Sequence, residues 1–202
     1  MILRVVSGRV PPGKLDDVID AYRSGYLPIA TKAVGLDRFV VGARDRPDGS
    51  HGLAAMTLWT TVEAALAAYD GDLAVPRTLD ARSHGEEMSR VDYYEIDDGA
   101  ARRRSGDATW LRLTAGTVAS GLDAEIQQEL RKRLPELPAE AVEAFVGRRV
   151  LGSDVEIAFV TTWSGVPAGR SLEAPIWPSI SDRYDTFRIA VHRILIEGAG
   201  AA

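Results

Sequence analysis

Two arginines and two tryptophans occupy matching positions in the two halves of this chain, and both residue types could serve a small-molecule site. Arg4 and Arg112 each follow a leucine and stand four residues before a glycine, and Trp59 and Trp163 each end an apolar run. Guanidinium groups bind anionic or enolate-like ligands, and indole rings stack on planar substrates. The alternatives are that each arginine pairs with a local carboxylate at a sheet edge and that each tryptophan fills the core.

The direction of the arginines depends on which face of their strands the helices cover. Side chains alternate along a strand, so Arg4 points toward a second sheet if Leu3 and Val5 pack beneath the helices. Arg112 would point the same way in the second half. Two guanidinium groups in one interior would attract an anion or an enolate.

The histidines and one tyrosine are the other candidates for chemistry. Of the three histidines, His84 follows the second predicted helix and could act as a base, whereas His51 lies in a predicted turn. His192 lies in the last predicted strand, where it could line a substrate site or be a satisfied core residue. The hydroxyl of Tyr69 could hold a phenol or quinol. The histidines do not have the spacing of metal ligands, so no metal site is expected.

The composition limits the classes of function. The chain has 202 residues, 46% of them hydrophobic and 26% charged, with a formal net charge of −5. A mildly acidic chain offers no electrostatic reason to bind nucleic acid or an anionic membrane. The absence of cysteine excludes disulfides and thiolate nucleophiles and fits a reducing cytoplasm, the expected location. No uncharged apolar run approaches the roughly 18 residues of a membrane span.

The periodicity predicts the same order of elements twice. In the first half it predicts strands at 2–10, 36–44, 53–60 and 91–96 and helices at 14–33 and 62–69, with Pro28 dividing or kinking the first helix. In the second half it predicts strands at 110–118, 145–151, 155–163 and 188–196, a helix at 122–134, a short helical stretch at 139–144 and a helical turn near 181–187. A Pro- and Gly-rich segment, 165–178, stands where the second copy lacks its second helix. That segment is either a lid or a degenerate helix.

These elements predict an α+β fold of two tandem ferredoxin-like βαββαβ modules. The first module covers residues 1–97, a polar linker without periodicity covers 98–108, and a second, diverged module covers 109–198. The first strand is apolar on both faces, and the helices of one module cover only one face. The second module would therefore cover the other.

The run from Gly35 to Phe39 and the segment 56–65, Met-Thr-Leu-Trp-Thr-Thr-Val-Glu-Ala-Ala, resemble the dimeric α+β barrel superfamily, especially its antibiotic-biosynthesis-monooxygenase branch. The resemblance implies a fused, pseudo-dimeric α+β barrel made by one chain, with homodimerisation left open. It also implies a monooxygenase-like enzyme that oxidises an aromatic or polycyclic small molecule in the barrel interior and needs no cofactor. In that enzyme Arg4 would stabilise an anion and His84 would be the base. The substrate would be bound by Trp59, Tyr69, Arg112, Trp163 and His192.

Two other functions fit the same resemblance. The first alternative is a non-catalytic small-molecule-binding or stress-associated barrel protein, because a fold does not fix a function. The second is haem binding with His84 or His192 as the axial ligand. Haem-degrading relatives use an Asn, Trp and His set, and this sequence contains no asparagine, which counts against that chemistry.

Overall fold

A computed structural model of the chain describes residues 1–68, 87–97, 99–103, 106–150, 154–165 and 178–199. The chain divides into two compact units. Unit 1 comprises Met1–Asp92 together with Ile194–Ala202, and unit 2 comprises Tyr93–Arg193. The predicted module boundaries at residues 97 and 109 were drawn from the order of the elements along the chain. They stay a prediction.

The described elements, in chain order, are β1 (Ile2–Val10), α1 (Leu15–Ala21), a π-helical turn (Tyr22–Tyr26), α2 (Leu27–Ala30), β2 (Leu36–Asp45), β3 (His51–Trp59), α3 (Val62–Ala68), β4 (Glu87–Glu95), β5 (Ala101–Arg103), β6 (Trp110–Thr117), α4 (Asp123–Arg133), a 3₁₀ turn (Leu134–Glu136), β7 (Ala141–Arg149), β8 (Glu156–Trp163), α5 (Pro178–Ser181) and β9 (Arg188–Gly198). Within this part of the chain, no helix has the length and apolar character that a membrane crossing requires.

The sheet of unit 1 has the strand order β4-β1-β3-β2-β9, and β3 pairs antiparallel with both β1 and β2. The β2–β3 hairpin turns at Gly49, whose φ of 78° favours glycine. The backbone N–H of Ser50 donates to Asp48 in this turn, and the hydrogen bonds from Ser50 hold the pKa of Asp48 below its usual value. The two strands predicted at 36–44 and 53–60 therefore form a hairpin.

The first helix of unit 1 is interrupted before its proline. Ordinary α-helix ends at Ala21, five residues adopt the wider π-helical turn, and Pro28 then stands in the first turn of α2. Proline lacks an N–H and its ring clashes with the preceding turn, so it disturbs a regular α-helix. The regular α-helix is interrupted before Pro28, as predicted, and the interruption is a π-helical turn whose flanking residues keep helical backbone angles.

The sheet of unit 2 has the order β9-β6-β8-β7-β5, and the end of β4 also pairs with β7. Arg102 on β5 donates to the carbonyls of Leu134 at 2.9 Å and Leu137 at 3.2 Å, and Arg148 on β7 pairs with Asp123 of α4 at 2.8 Å. Both arginines lie on the face of the sheet that carries Ala144. That face is therefore the one that α4 covers.

Three sequence-based predictions in the second half are wrong or incomplete. The helical stretch predicted at 139–144 is wrong, because Ala141–Arg149 is one strand, buried on both faces over most of its length. Its alanines and glutamates favour helix weakly, and burial between neighbouring strands overrides that preference. The predicted linker contains the short strand β5, and the helical turn expected at 181–187 occurs earlier, at Pro178–Ser181. Most of the Pro- and Gly-rich segment 165–178 lies outside the described residues.

A buried carboxylate joins three strands of unit 2. Glu156 on β8 accepts two hydrogen bonds from Arg188 on β9, at 2.7 and 3.0 Å, and one from the hydroxyl of Tyr94 on β4, at 2.5 Å. The Glu156 side chain is 2% exposed and the Arg188 side chain 44%. Glu156 therefore ties the parts of β4 and β9 that belong to unit 2 to β8.

Replacing this carboxylate should weaken the fold. Glu156→Ala removes the buried carboxylate that accepts from Tyr94 and from the half-exposed Arg188, and we expect a loss of about 1–3 kcal/mol in the free energy of unfolding, the cost of removing one partner from buried hydrogen bonds. Urea unfolding measures the change. Asp20→Ala, which removes an exposed pair with Arg23, is the control and should change stability far less. Equal losses in the two variants would contradict a structural role for Glu156.

Candidate functional site

One row of side chains crosses three strands of unit 1. Arg4 on β1 stands directly opposite Thr57 on β3, and Thr57 stands opposite Phe39 on β2. Directly paired residues of antiparallel strands place their side chains on the same face. All three are buried, and the whole of Arg4 is only 5% exposed. The guanidinium stem thus lies on the same side of the sheet as a hydroxyl and an aromatic ring.

The helical segment of unit 1 covers this same face. The rings of Tyr22 and Tyr26 pack on Phe39, with centroid distances of 6.5 and 4.7 Å, and they meet each other edge to face at 6.1 Å. Arg4 therefore lies on the helix-covered face, and the condition under which it would point toward a second sheet, with Leu3 and Val5 beneath the helices, is not met. The alternation of side chains along β1 correctly predicts that Leu3 and Arg4 lie on opposite faces. It does not predict which face the helices cover, because both faces of β1 are largely apolar.

Thr57 also connects Arg4 to one of the predicted tryptophans. Trp59 lies two residues further along β3, hence on the same face, and its indole N–H donates to the Thr57 hydroxyl at 3.1 Å. Both side chains are buried. The bond fixes the indole beside the row that contains Arg4. The structure therefore brings together two of the predicted site residues, with a threonine between them.

The same arrangement occurs in unit 2. Arg112 on β6 stands opposite Thr161 on β8, and the indole N–H of Trp163 donates to the Thr161 hydroxyl at 2.7 Å. Thr161 in turn stands opposite Ala144, on the face that α4 covers. Arg112 is 1% exposed, and its burial lowers the pKa of its guanidinium to about 10. Each unit thus has a buried Arg–Thr–Trp set on its helix-covered face.

The two units differ in the helical residues that stand at matching sequence positions. Tyr22 and Tyr26 of unit 1 correspond to Leu130 and Leu134 of unit 2, which stand 108 residues later, the same offset that separates Arg4 from Arg112. All four are buried. On the sheet, unit 1 has Phe39 opposite its threonine where unit 2 has Ala144. Phe39 beside the set of unit 1 thus packs against two tyrosines, whereas unit 2 has leucines at the matching helix positions and an alanine opposite its threonine.

The other predicted site residues do not join these sets among the described residues. His192 is buried on β9 opposite Leu111, and neighbouring residues of a strand face opposite ways, so His192 lies on the other face from Arg112. Tyr69 and His84 lie outside the described residues. His51, predicted to be exposed in a turn, begins β3 and pairs with Asp45 at 2.9 Å. The roles predicted for the site residues stay predictions.

Two features of the site were not found by sequence reasoning. The threonines were missed although the pattern Thr-x-Trp occurs in both halves, as Thr57 with Trp59 and Thr161 with Trp163. The spacing of four between Tyr22 and Tyr26 is typical of any buried helix face, so in sequence it indicates only packing. The tyrosine hydroxyls are the feature that could have indicated a functional role, because a helix residue needs no hydroxyl group to pack on a sheet.

The unit 1 set has the chemistry of a site for planar, weakly acidic aromatic compounds. A buried guanidinium stabilises an oxyanion more strongly than one in water does, because the surrounding dielectric constant is low. Tyrosine hydroxyls can donate to or accept from a substrate oxygen, and aromatic rings pack on a flat ligand. Among the residues that the structure describes, no three histidine or carboxylate side chains converge to hold a metal ion.

Three solved structures resemble the chain over nearly its whole length. One from Fusobacterium nucleatum subsp. nucleatum ATCC 25586, provisionally named a monooxygenase, has a TM-score of 0.69 at 12% identity, covering 98% of this chain and 94% of that chain. An anthrone oxidase-like protein has a TM-score of 0.62 at 11% identity, covering 100% and 94%. A third, from Lactobacillus acidophilus NCFM and also provisionally named a monooxygenase, has a TM-score of 0.57 at 10% identity, covering 100% and 98%.

No family model and no curated protein sequence matches the chain. At so low an identity the structural likeness shows the fold alone, which is a mixed α+β fold with a closed antiparallel β-barrel. The expected barrel fold is confirmed at that level. The division into tandem ferredoxin-like modules stays a prediction.

The Thr–Trp hydrogen bonds can be tested in both units. Thr57→Val or Thr161→Val leaves a buried indole N–H without its acceptor, and we expect each to lower the free energy of unfolding by about 1–3 kcal/mol. Urea unfolding followed by tryptophan fluorescence measures this. The matched Thr→Ser variants keep the hydroxyl and should lose distinctly less. If Val and Ser variants were equally stable, the hydrogen bonds would not hold the indoles.

Proposed function

We propose that the chain is a monooxygenase-like enzyme that oxidises a planar phenolic or anthrone-type compound with dioxygen, without a bound cofactor. The observation that carries the proposal is the buried Arg–Thr–Trp set of unit 1, which shares the helix-covered face of the sheet with Phe39, the ring on which two tyrosines pack. The fold likeness to an anthrone oxidase-like protein and to two structures with provisional monooxygenase names supports it.

The proposed reaction needs only a base, an anion-stabilising group and dioxygen. For an anthrone, a base removes a proton from the ring methylene, and the resulting carbanion is delocalised onto the ring oxygen. The carbanion donates electrons to dioxygen and forms a carbon–oxygen bond, giving a peroxide. Loss of water from the peroxide yields the quinone, so one anthrone and one dioxygen give one anthraquinone and one water.

The residues of unit 1 have distinct parts in this proposal. Arg4 stabilises the negative charge that develops on the substrate oxygen, and Trp59 forms a wall for the flat ring system. The rings around Phe39 exclude water, which keeps the carbanion from being reprotonated by solvent. His84 is proposed as the base and Tyr69 as a further hydrogen-bonding group, on the sequence alone.

A second candidate function is binding without turnover. Arg4, Thr57, Trp59 and Phe39 are each at most 5% exposed, as in a core filled by its own side chains. A barrel of this kind could hold a small aromatic molecule, or simply be stable, without catalysing a reaction. The second candidate predicts ligand binding, or none, with no consumption of oxygen.

Turnover of a dihydroxyanthrone in air tests the proposal. Quinone formation is followed by absorbance and oxygen uptake by electrode, both corrected for spontaneous oxidation, and the two should agree one to one. Arg4→Gln removes the cation and should lower kcat/KM by roughly 10²–10³-fold, the effect of losing one oxyanion-stabilising group. Arg9→Gln, on the same strand and paired with the exposed Asp48, is the control and should leave the rate unchanged.

His84→Ala and Tyr69→Phe extend the same assay to the residues chosen from sequence. Loss of turnover in His84→Ala with retained binding is the expected result for a base. Binding of the anthrone without any catalysed oxidation would favour the binding protein. Equal rates in wild type, Arg4→Gln and Arg9→Gln would contradict the proposed site.

A further inference from the structure

We propose that unit 2 holds a second ligand site, centred on the hydroxyl of Thr114 on the helix-covered face of its sheet, and that this site binds a monocyclic aromatic carboxylate. The inference goes beyond the proposed function, because it concerns another unit and another class of ligand. The ring of Tyr184 closes the site, and the segment that carries this ring opens to admit the ligand.

The first observation is a buried hydroxyl that the protein does not satisfy. Thr114 on β6 is 5% exposed, and its hydroxyl oxygen has no hydrogen-bond partner among the residues that the structure describes. It stands two residues after Arg112 and opposite Phe159 of β8, so the three side chains share the helix-covered face. A buried hydroxyl without a partner is costly, and a ligand oxygen beside it would remove that cost.

The matching position in unit 1 shows that packing does not require this hydroxyl. Val6 stands 108 residues before Thr114, the same offset that separates Arg4 from Arg112. Valine and threonine have the same branched shape, and both suit a strand. An apolar side chain thus serves at this place in one unit, whereas the other unit has a polar one. Binding of a ligand is a reason to keep the hydroxyl in unit 2.

The second observation is the ring that lies over the next residue of this face. A Cβ atom added to Gly116, two residues after Thr114, would clash with the ring of Tyr184 and with the backbone carbonyl of Thr186. Only glycine therefore lets the ring rest on β6 here. Burial and the nearby carboxylate of Glu156 raise the pKa of Tyr184, so its phenol stays neutral. A neutral aromatic ring borders the place where the Thr114 hydroxyl lies.

The segment that carries Tyr184 is fastened by contacts near the surface. The backbone N–H of Asp185 donates to the carbonyl of Thr117 at 2.9 Å, and Arg183 pairs with Glu125 of α4 at 2.9 Å. Asp185 and Glu125 are exposed. A segment held by a few exposed polar contacts opens at a lower free-energy cost than the buried strands beneath it. Displacement of the Tyr184 ring is therefore the proposed route of entry.

The surrounding groups favour an anion that carries a flat ring. Burial lowers the pKa of Arg112 to about 10, and a negative charge nearby would favour the charged form of its guanidinium. A carboxylate can accept a hydrogen bond from the Thr114 hydroxyl at the same time. The rings of Phe159 and Tyr184 can pack on a flat apolar group. A monocyclic aromatic carboxylate combines the charge, the acceptor oxygens and the ring.

Titration calorimetry of the full chain with benzoate tests this site. We expect one benzoate per chain with a dissociation constant of about 0.1–1 mM, which is in the range of a ligand with so few atoms. Benzamide has the ring without the charge and should bind at least about 10-fold more weakly. Dihydroxyanthraquinone, a ligand of the class proposed for unit 1, should not displace benzoate.

Thr114→Val introduces the residue of unit 1 and should bind benzoate at least about 10-fold more weakly than wild type. Thr114→Ser keeps the hydroxyl and should bind nearly as well as wild type. Without ligand, the urea midpoint of Thr114→Val should rise, because an unsatisfied polar atom is replaced by an apolar group of the same shape. Tyr184→Ala should bind benzoate with a faster association rate, whereas Tyr184→Phe keeps the ring and should not.

The outcomes separate this inference from the proposed function. Absence of saturable binding up to roughly 10 mM benzoate, or equal affinities of Thr114→Val and Thr114→Ser, would overturn the site. A lower urea midpoint in Thr114→Val would also overturn it, because the hydroxyl would then be satisfied without ligand. Displacement by dihydroxyanthraquinone would place benzoate in unit 1 and contradict a second site. An unchanged association rate in Tyr184→Ala would overturn the route of entry. Turnover of the anthrone is measured separately and stands or falls independently.

Discussion

The register of β1 against β3 is the constraint on which the site in unit 1 depends. It places Arg4 opposite Thr57, and so puts the Arg4 side chain on the same face of the sheet as Phe39 and Trp59. A slip of one residue would move every side chain of β1 to the other face and bring Leu3 into this row. Because both faces are buried, apolar side chains alone do not prevent that slip. The burial of Arg4 on one specific face does, since a charged group tolerates far fewer surroundings than a leucine.

Unit 2 has the same register, and there the desolvation of the buried arginine is visible in its pKa. Burial lowers the pKa of Arg112 to about 10, so its charged form is destabilised relative to water, yet the residue stands at the same place in the register. An apolar side chain there would avoid the desolvation cost.

Much of the fold could be predicted from sequence, because alternation and breakers are local signals. The Pro-Pro-Gly run after β1, the turn at 46–50 and Pro28 each mark a boundary that the structure has. The face that the helices cover could not be predicted, because β1 is largely apolar on both sides. The strand β7 was mistaken in part for helix, because its Ala and Glu residues favour helix locally and only pairing with β5 and β8 makes them a strand. The threonines of the site were missed since a threonine in a strand is ordinary, and only the cross-strand partner gives it a role.

A crystal structure of the chain with dihydroxyanthraquinone bound would test the central claim most directly. The account predicts the ligand on the helix-covered face of unit 1, with a ring oxygen within hydrogen-bond distance of Arg4 and the ring system against Trp59 and the two tyrosines. A ligand on the opposite face beside Leu3 and Val5, or in unit 2 beside Arg112, would contradict it.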